Sequence, residues 1–256
     1  MILTIDVGNT NIVFGCVDEN KIYFVSRIST DFKKTKDQYA IEIKQILQLY
    51  QIDFQAITGS IISSVVPPLK NVLQEAVNFI TSKDPLIVGP GVKTGLNIII
   101  DNPAQLGSDL VVSAVAALAE YTKPIVIFDI GTATTVSVID AKGAFLGGAI
   151  MPGIAISMDA LSAKATQLQG ISLEAPKRLI GKNTVDSMTS GIIYGNAAMV
   201  DGMCTRIEAE LGSPATVLAT GGLAHLLVDF CEHKVIYDAD LMLKGLFLIY
   251  QKNTST

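Results

Sequence analysis

One pattern is written twice in this chain of 256 residues, and it restricts the fold more than any other feature. The N-terminal stretch Ile2-Leu3-Thr4-Ile5-Asp6-Val7-Gly8-Asn9-Thr10-Asn11 is echoed by Ile125-Val126-Ile127-Phe128-Asp129-Ile130-Gly131-Thr132-Ala133-Thr134-Thr135. Each copy is an apolar, β-branched strand that ends in Asp-x-Gly and runs through small hydroxyl or amide residues. A second strand follows, from Ile12 to Val17 or from Val136 to Ile139, then a polar turn, then a third strand from Ile22 to Val25 or from Ala144 to Ile150. A supersecondary unit repeated in this way predicts two duplicated α/β domains. The boundary is expected between residues 117 and 118, giving domains 1–117 and 118–256.

Helical patterns fill the intervals. Tyr39, Ile43, Ile46, Leu47 and Tyr50 recur at helical spacing across 37–50. Residues 56–66 read as a buried strand, Pro67-Pro68 opens a helix through Ile80, and Leu86-Ile87-Val88 reads as a strand. An alanine-rich helix is expected over 109–120, a long helix over 186–211, a strand over 215–219 and a closing helix over 241–250. Residues 253–256 form a polar tail.

Apolar residues make up 49% of the chain and charged residues 17%, which suits buried parallel strands and a buried subunit face. The net charge is −5, with no basic run, so nucleic acid is not an expected partner. No targeting segment or membrane span is expected. The three cysteines, Cys16, Cys204 and Cys231, lack metal-ligand spacing and read as reduced, buried small residues in a cytoplasmic protein.

An Asp-x-Gly turn at a strand end has a use in phosphate binding. Glycine allows close backbone approach, and the small residues after it offer N–H groups and hydroxyls to phosphate oxygens. Asn9, Thr10 and Asn11 are expected to donate to the β- and γ-phosphates of a nucleotide, and Thr132 to do so from the second copy. Asp6 beside those oxygens needs a cation, which makes it a candidate Mg²⁺ ligand, direct or through water. Gly221-Gly222 after a strand either admits a base and ribose or is a plain turn. Gly107-Ser108-Asp109 opens the alanine-rich helix; Ser108 or Asp109 can cap it, and the Asp109 carboxylate can also accept a proton from an acceptor hydroxyl. Asn183 or Thr184 is expected to cap the long helix. His225 and His233 read as surface or satisfied histidines.

These residues together resemble the type III pantothenate kinases, within the superfamily of sugar kinases, chaperone ATPases and actin. The resemblance runs along nearly the whole chain. It rests on 6–11, Ser63-Ser64-Val65-Val66-Pro67, 89–95, Asn102-Pro103 with Gly107 and Asp109, 129–135, Gly147-Gly148 with Pro152-Gly153, Gly181-Lys182-Asn183-Thr184, and Thr220-Gly221-Gly222. It implies two RNase H-like domains with a nucleotide cleft between them, a homodimer, and ATP-dependent phosphorylation of pantothenate, the first step of coenzyme A synthesis. It implies that Asp6, Val7, Gly8, Asn9, Thr10, Asn11, Ile12 and Val13 hold ATP phosphates and that Thr132 contacts ATP. It further implies that Asp129 binds K⁺ or NH₄⁺, that Asp109 is the proton acceptor, and that Thr184 reaches pantothenate across the dimer interface. Two positions depart from the family pattern. Leu110 stands where an arginine is usual, and Ile100 where a tyrosine is usual; the resemblance places both in the acceptor pocket with Gly107 and Ser108. Two alternatives follow: a kinase of the same fold acting on another small alcohol, or an ATP-binding regulatory protein without turnover.

Overall fold

The structure, a computed structural model, describes residues 1–164 and 173–254. Of the polar tail, residues 255 and 256 lie outside the described residues. By contacts the chain divides into two compact units. The first comprises Met1–Leu96, Asn102–Ala116 and Leu241–Thr256; the second comprises Asn97–Asp101 and Ala117–Asp240.

In the first unit, strands β1 (Ile2–Val7), β2 (Asn11–Val17), β3 (Ile22–Ser29), β4 (Gly59–Ser64) and β5 (Leu86–Ile87) form one sheet in the order β3-β2-β1-β4-β5. The first three are antiparallel neighbours, while β4 and β5 run parallel to β1. Alternation along β1 sends its side chains to two different cores. Leu3, Ile5 and Val7 pack with Tyr39, Ile43 and Leu47 of helix α1 (Lys36–Leu49) and with Leu69, Leu73 and Val77 of helix α2 (Pro67–Thr81). Ile2 and Ile61, on the other face, meet Val112 and Val115 of helix α3 (Ser108–Glu120) and Leu246 and Ile249 of helix α6 (Leu241–Thr254). Helix α1 starts in a capping box. The Thr35 hydroxyl accepts from Gln38 N–H, and the Gln38 side chain accepts from Thr35 N–H at 2.9 Å, an arrangement that contributes about 1 kcal/mol.

The second unit repeats the first. Strands β7 (Ile125–Ile130), β8 (Ala133–Ile139), β9 (Ala144–Pro152), β10 (Thr216–Thr220) and β11 (Val235–Tyr237) lie in the order β11-β10-β7-β8-β9, and β6 (Asn97–Ile98) adds to the β9 edge. The antiparallel and parallel pairings match one for one those of the first sheet. Even the pairing irregularity recurs at matching places, between Cys16 and Val17 on β2 and between Val138 and Ile139 on β8. The expected class, duplicated RNase H-like α/β, is therefore what the two sheets display. Val126, Phe128 and Ile130 face helix α5 (Thr184–Leu211) and helix α4 (Ile154–Lys164), so Asp129, between the last two, faces the other way. Asn183 caps α5, its side chain accepting from Asp186 N–H at 2.8 Å.

Helix α4 and the short strands β6 and β11 have no counterpart in the sequence reading. A two- or three-residue strand carries too little period to be seen, and α4 has apolar residues around most of its circumference. His233 has partners that sequence spacing did not reveal. Its Nδ1 lies 3.3 Å from Asp201 Oδ1 and its Nε2 3.7 Å from Glu208 Oε2, both carboxylates coming from α5. Cys16 and Cys204 are fully buried and Cys231 partly so; burial pushes the first two thiols up to about 12 and the third to about 11. None of them is a thiolate at neutral pH, which fits the packing role. Among the described residues no helix is long and apolar enough to cross a membrane.

Candidate active site

Each sheet presents an Asp-x-Gly turn at the carboxyl end of its central strand, β1 or β7. In the first unit Asp6 and Val7 end β1, residues 8–10 turn, and Asn11, Ile12 and Val13 open β2. The turn is closed by Gly8 N–H donating to Asn11 O at 3.0 Å. Val7 and Ile12 are buried and hold the turn from below, while Asn9, Thr10 and Asn11 are exposed at its tip. Asp6 shares its face of the sheet with Ile2, the face that α3 and α6 cover.

That face brings Asp6 and Asp109 into one neighbourhood. In the parallel pair β1–β4, Asp6 stands in register with Ser63. The Ser63 hydroxyl lies 3.0 Å from the Ser108 hydroxyl, and Ser108 also donates to Ser64 O at 3.3 Å. Ser108 is the first residue of α3 and Asp109 the second, so the start of that helix is fastened to the strand beside Asp6. The Asp109 carboxylate folds back over Gly107 and accepts the N–H of Leu110 at 2.9 Å. Burial holds its carboxyl above the ordinary carboxylate range, against the opposing pull of the Leu110 and Asp109 amides. A half-buried carboxylate with a raised proton affinity suits a proton acceptor. Ser63 and Ser64 carry no residue-by-residue signal in the sequence that they link the two aspartates; register alone reveals it.

In the second unit Asp129 stands in register with Thr220, as Asp6 does with Ser63. The turn at Gly131 and Thr132 is closed by Gly131 N–H donating to Ala133 O at 3.1 Å, and Thr132 is exposed. Gly221 follows Thr220 with φ of +93°, and a Cβ there would lie 2.5 Å from Asp129 Oδ1 and 2.6 Å from Ile130 O. Asp129 and the Gly221-Gly222 turn thus share one corner, where a carboxylate and a main-chain carbonyl converge. Ile100, beyond β6, lies against β9: its Cγ2 is 3.6 Å from where a Cβ on Gly147 would stand. Leu110 directs its side chain beside Gly107 at the start of α3. Thr184 is exposed at the first position of α5, next to the Asn183 cap. Among the described residues no three His, Cys, Asp or Glu side chains cluster as a metal site.

Comparison with known proteins bears on this arrangement. The family model described as type III pantothenate kinase matches residues 2–206. The type III pantothenate kinase of Exiguobacterium sp. is 47% identical over 253 residues, 99% of either chain. That of Halalkalibacterium halodurans is 45% identical over 253 residues, 99% of this chain and 100% of its own. Among solved structures, a conserved Baf family protein from Campylobacter jejuni superposes with a TM-score of 0.62 at 22% identity, covering 99% of this chain and 100% of that one, a likeness of fold. The resemblance drawn from the motifs is borne out along the full length: this chain belongs to the type III pantothenate kinase family and is a kinase.

Proposed function

We propose that Asp109 is the proton acceptor in the ATP-dependent phosphorylation of pantothenate to 4'-phosphopantothenate, the first step of coenzyme A synthesis to which family membership assigns this chain. The observation that carries the reading is the link from Asp6 through Ser63 and Ser108 to Asp109. It sets an Asp-x-Gly turn and a raised-affinity carboxylate near the carboxyl ends of β1 and β4. In the proposed reaction the acceptor hydroxyl oxygen bonds to the γ-phosphorus, the bond to the β-phosphate oxygen breaks, ADP leaves, and the hydroxyl proton passes to Asp109. Phosphoryl transfer has a loose transition state, so orienting the hydroxyl counts for more than removing its proton early. Asn9, Thr10 and Asn11 in the first unit and Thr132 in the second are the proposed phosphate contacts, with Gly221-Gly222 against the nucleoside.

A magnesium ion at Asp6 would take one carboxylate and complete its shell with phosphate oxygens and water, a set that suits this ion. The convergence of Asp129 Oδ1 and Ile130 O beside Gly221 supports Asp129 as the seat of K⁺ or NH₄⁺. The direct test is ADP release on adding pantothenate to protein, ATP, Mg²⁺ and each monovalent cation in turn; no release above background would sink the reading.

Leu110 and Ile100 favour a second reading, a kinase for an acceptor without a carboxylate. Leucine lacks the paired donors that an arginine offers a carboxylate, and isoleucine lacks a phenolic hydroxyl. If pantothenate is the acceptor, changing Leu110→Arg and Ile100→Tyr together is expected to lower its KM about ten- to a hundredfold, as one or two charge-assisted or polar contacts would. Steady-state kinetics of the double variant checks this; an unchanged KM beside a better-used alternative alcohol favours the second reading.

A homodimer is the proposed assembly, and the cytoplasm with its reduced thiols the proposed compartment. Leu179 and Ile180, just before α5, and Val185, its second residue, are exposed apolar side chains, 62%, 80% and 55% accessible, which is unusual for this type. Beyond them Ser187, Gly191 and Gly195 form an exposed small-residue face, and a Cβ added at either glycine would meet nothing within 4 Å. Ile180→Glu with Gly191→Trp is expected to convert a dimer to a monomer in sedimentation velocity. A wild-type protein that sediments as a monomer at micromolar concentration, or a double variant that stays dimeric, would refute this assignment.

A further inference from the structure

Thr30 lies one residue past β3, outside every motif of the chain, yet it holds the first phosphate turn at two points. Its hydroxyl donates to Gly8 O at 2.7 Å and its N–H donates to Thr10 O at 2.9 Å. In a trans peptide the carbonyl and the following N–H point in opposite directions. With the carbonyls of Gly8 and Thr10 turned to Thr30, the N–H groups of Asn9 and Asn11 are directed away from it. Thr30 is in turn held by its neighbour. Tyr39, fully buried in α1, donates its hydroxyl to Asp31 O at 2.7 Å and accepts Asp31 N–H at 3.2 Å.

The duplicated second unit solves the same problem differently. Asn11 pairs with Ser29 and Ala133 pairs with Pro152, so Thr30 and Gly153 occupy equivalent places just beyond the third strand. At Gly153 the turn carbonyls of Gly131 and Thr132 press so close to the main chain that any Cβ would strike both, the Gly131 oxygen at 2.5 Å. The carbonyls of both turns therefore face the third strand. One unit holds them with a hydroxyl and an amide, the other by removing the side chain.

We propose that Thr30 is a positioning residue for nucleotide binding: it turns the carbonyls of Gly8 and Thr10 inward so that the amides of Asn9 and Asn11 are set toward the anionic phosphate chain of ATP. The inference rests on the phosphate-turn reading above and names the residue that gives that turn its polarity. A turn lacking this restraint lets a peptide flip and brings a carbonyl oxygen toward the phosphates.

The test compares Thr30→Val, which keeps the shape and loses the hydroxyl, with Thr30→Ser, which keeps the hydroxyl. Asn9→Ala and Thr10→Ala report on the turn itself. ATP affinity is read by calorimetry, amide exchange at residues 9–11 in nucleotide-free protein, and the KM for pantothenate by kinetics. Thr30→Val is expected to weaken ATP binding about five- to tenfold, as loss of one restraining hydrogen bond would, and to speed amide exchange at Asn9 and Asn11. The pantothenate KM should hold, and Thr30→Ser should restore ATP affinity to within about twofold. If Thr30→Val binds ATP as wild type while Asn9→Ala or Thr10→Ala weakens it, the positioning role falls and the phosphate turn stands. If Asn9→Pro, which removes the Asn9 N–H, is silent along with Asn9→Ala and Thr10→Ala, the phosphate-turn reading fails and takes this inference with it. Equal losses in the Val and Ser variants, or a parallel rise in the pantothenate KM, would assign Thr30 a packing role and overturn the proposal.

Discussion

Asp109→Asn is expected to lower kcat by about 10²- to 10⁴-fold, the contribution usual for a positioned proton acceptor. The variant should nevertheless melt no lower than the parent at neutral pH. The carboxylate is half-buried, and burial raises its proton affinity in the folded state. A raised folded pKa stabilises the fold below the unfolded value, and that contribution is lost as pH rises through the folded value. At pH 7 the ionised side chain therefore costs stability that an amide does not, while the asparagine oxygen can still accept the Leu110 N–H seen at 2.9 Å. The same shift predicts the acid limb of the wild-type profile. Activity should fall with decreasing pH at a point above the ordinary carboxylate range, because the working form is the anion. Rate profiles and thermal melts of both proteins check the pair of effects; an Asn variant that keeps most of its kcat would remove Asp109 from the chemistry.

Gly221→Ala carries the second large effect, here on both stability and cation response. The position has φ of +93°, which a side chain disfavours, and the added methyl would lie 2.5 Å from Asp129 Oδ1 and 2.6 Å from Ile130 O. Backbone strain and the clash together should lower stability by about 2–4 kcal/mol. Relief of these contacts displaces the Asp129 carboxylate, the Ile130 carbonyl or the turn at 221, all parts of the proposed cation corner, so any activation by K⁺ or NH₄⁺ over Na⁺ should vanish in the protein that remains folded. Gly89→Ala is the control, since a Cβ there meets nothing within 4 Å. Denaturant titrations and activity in each chloride salt separate the two outcomes. A stable variant that still responds to K⁺ would overturn the proposed cation role of Asp129.

The duplication was legible because each repeat carries a long β-branched strand and a glycine turn, signals that depend only on local sequence. Helices 36–49, 67–81 and 184–211 were legible from their apolar period to within two residues at either end. Strand pairings were not, since register is set by neighbours far away in the chain; hence Ser63, though within a stretch that carries the family resemblance, gave no sign that it links Asp6 to Asp109. Thr30 was invisible for a related reason. Its role comes from main-chain carbonyls 20 or more residues earlier, and threonine after a strand is commonplace. Nor does the apolar period of 241–254 say which sheet it covers, because any apolar face of adequate area is satisfied by a helix of that length.

That last helix has a consequence for the order in which the protein matures on the ribosome. The face of the first sheet bearing Ile2 and Ile61 is closed by Leu246 and Ile249, which are translated long after the strands they cover. Every residue of the second unit emerges before that lid does. The unit begun first is thus completed after the second, and a nascent chain stalled before residue 241 leaves the part of that aliphatic surface beside α3 open to whatever chaperone is at hand.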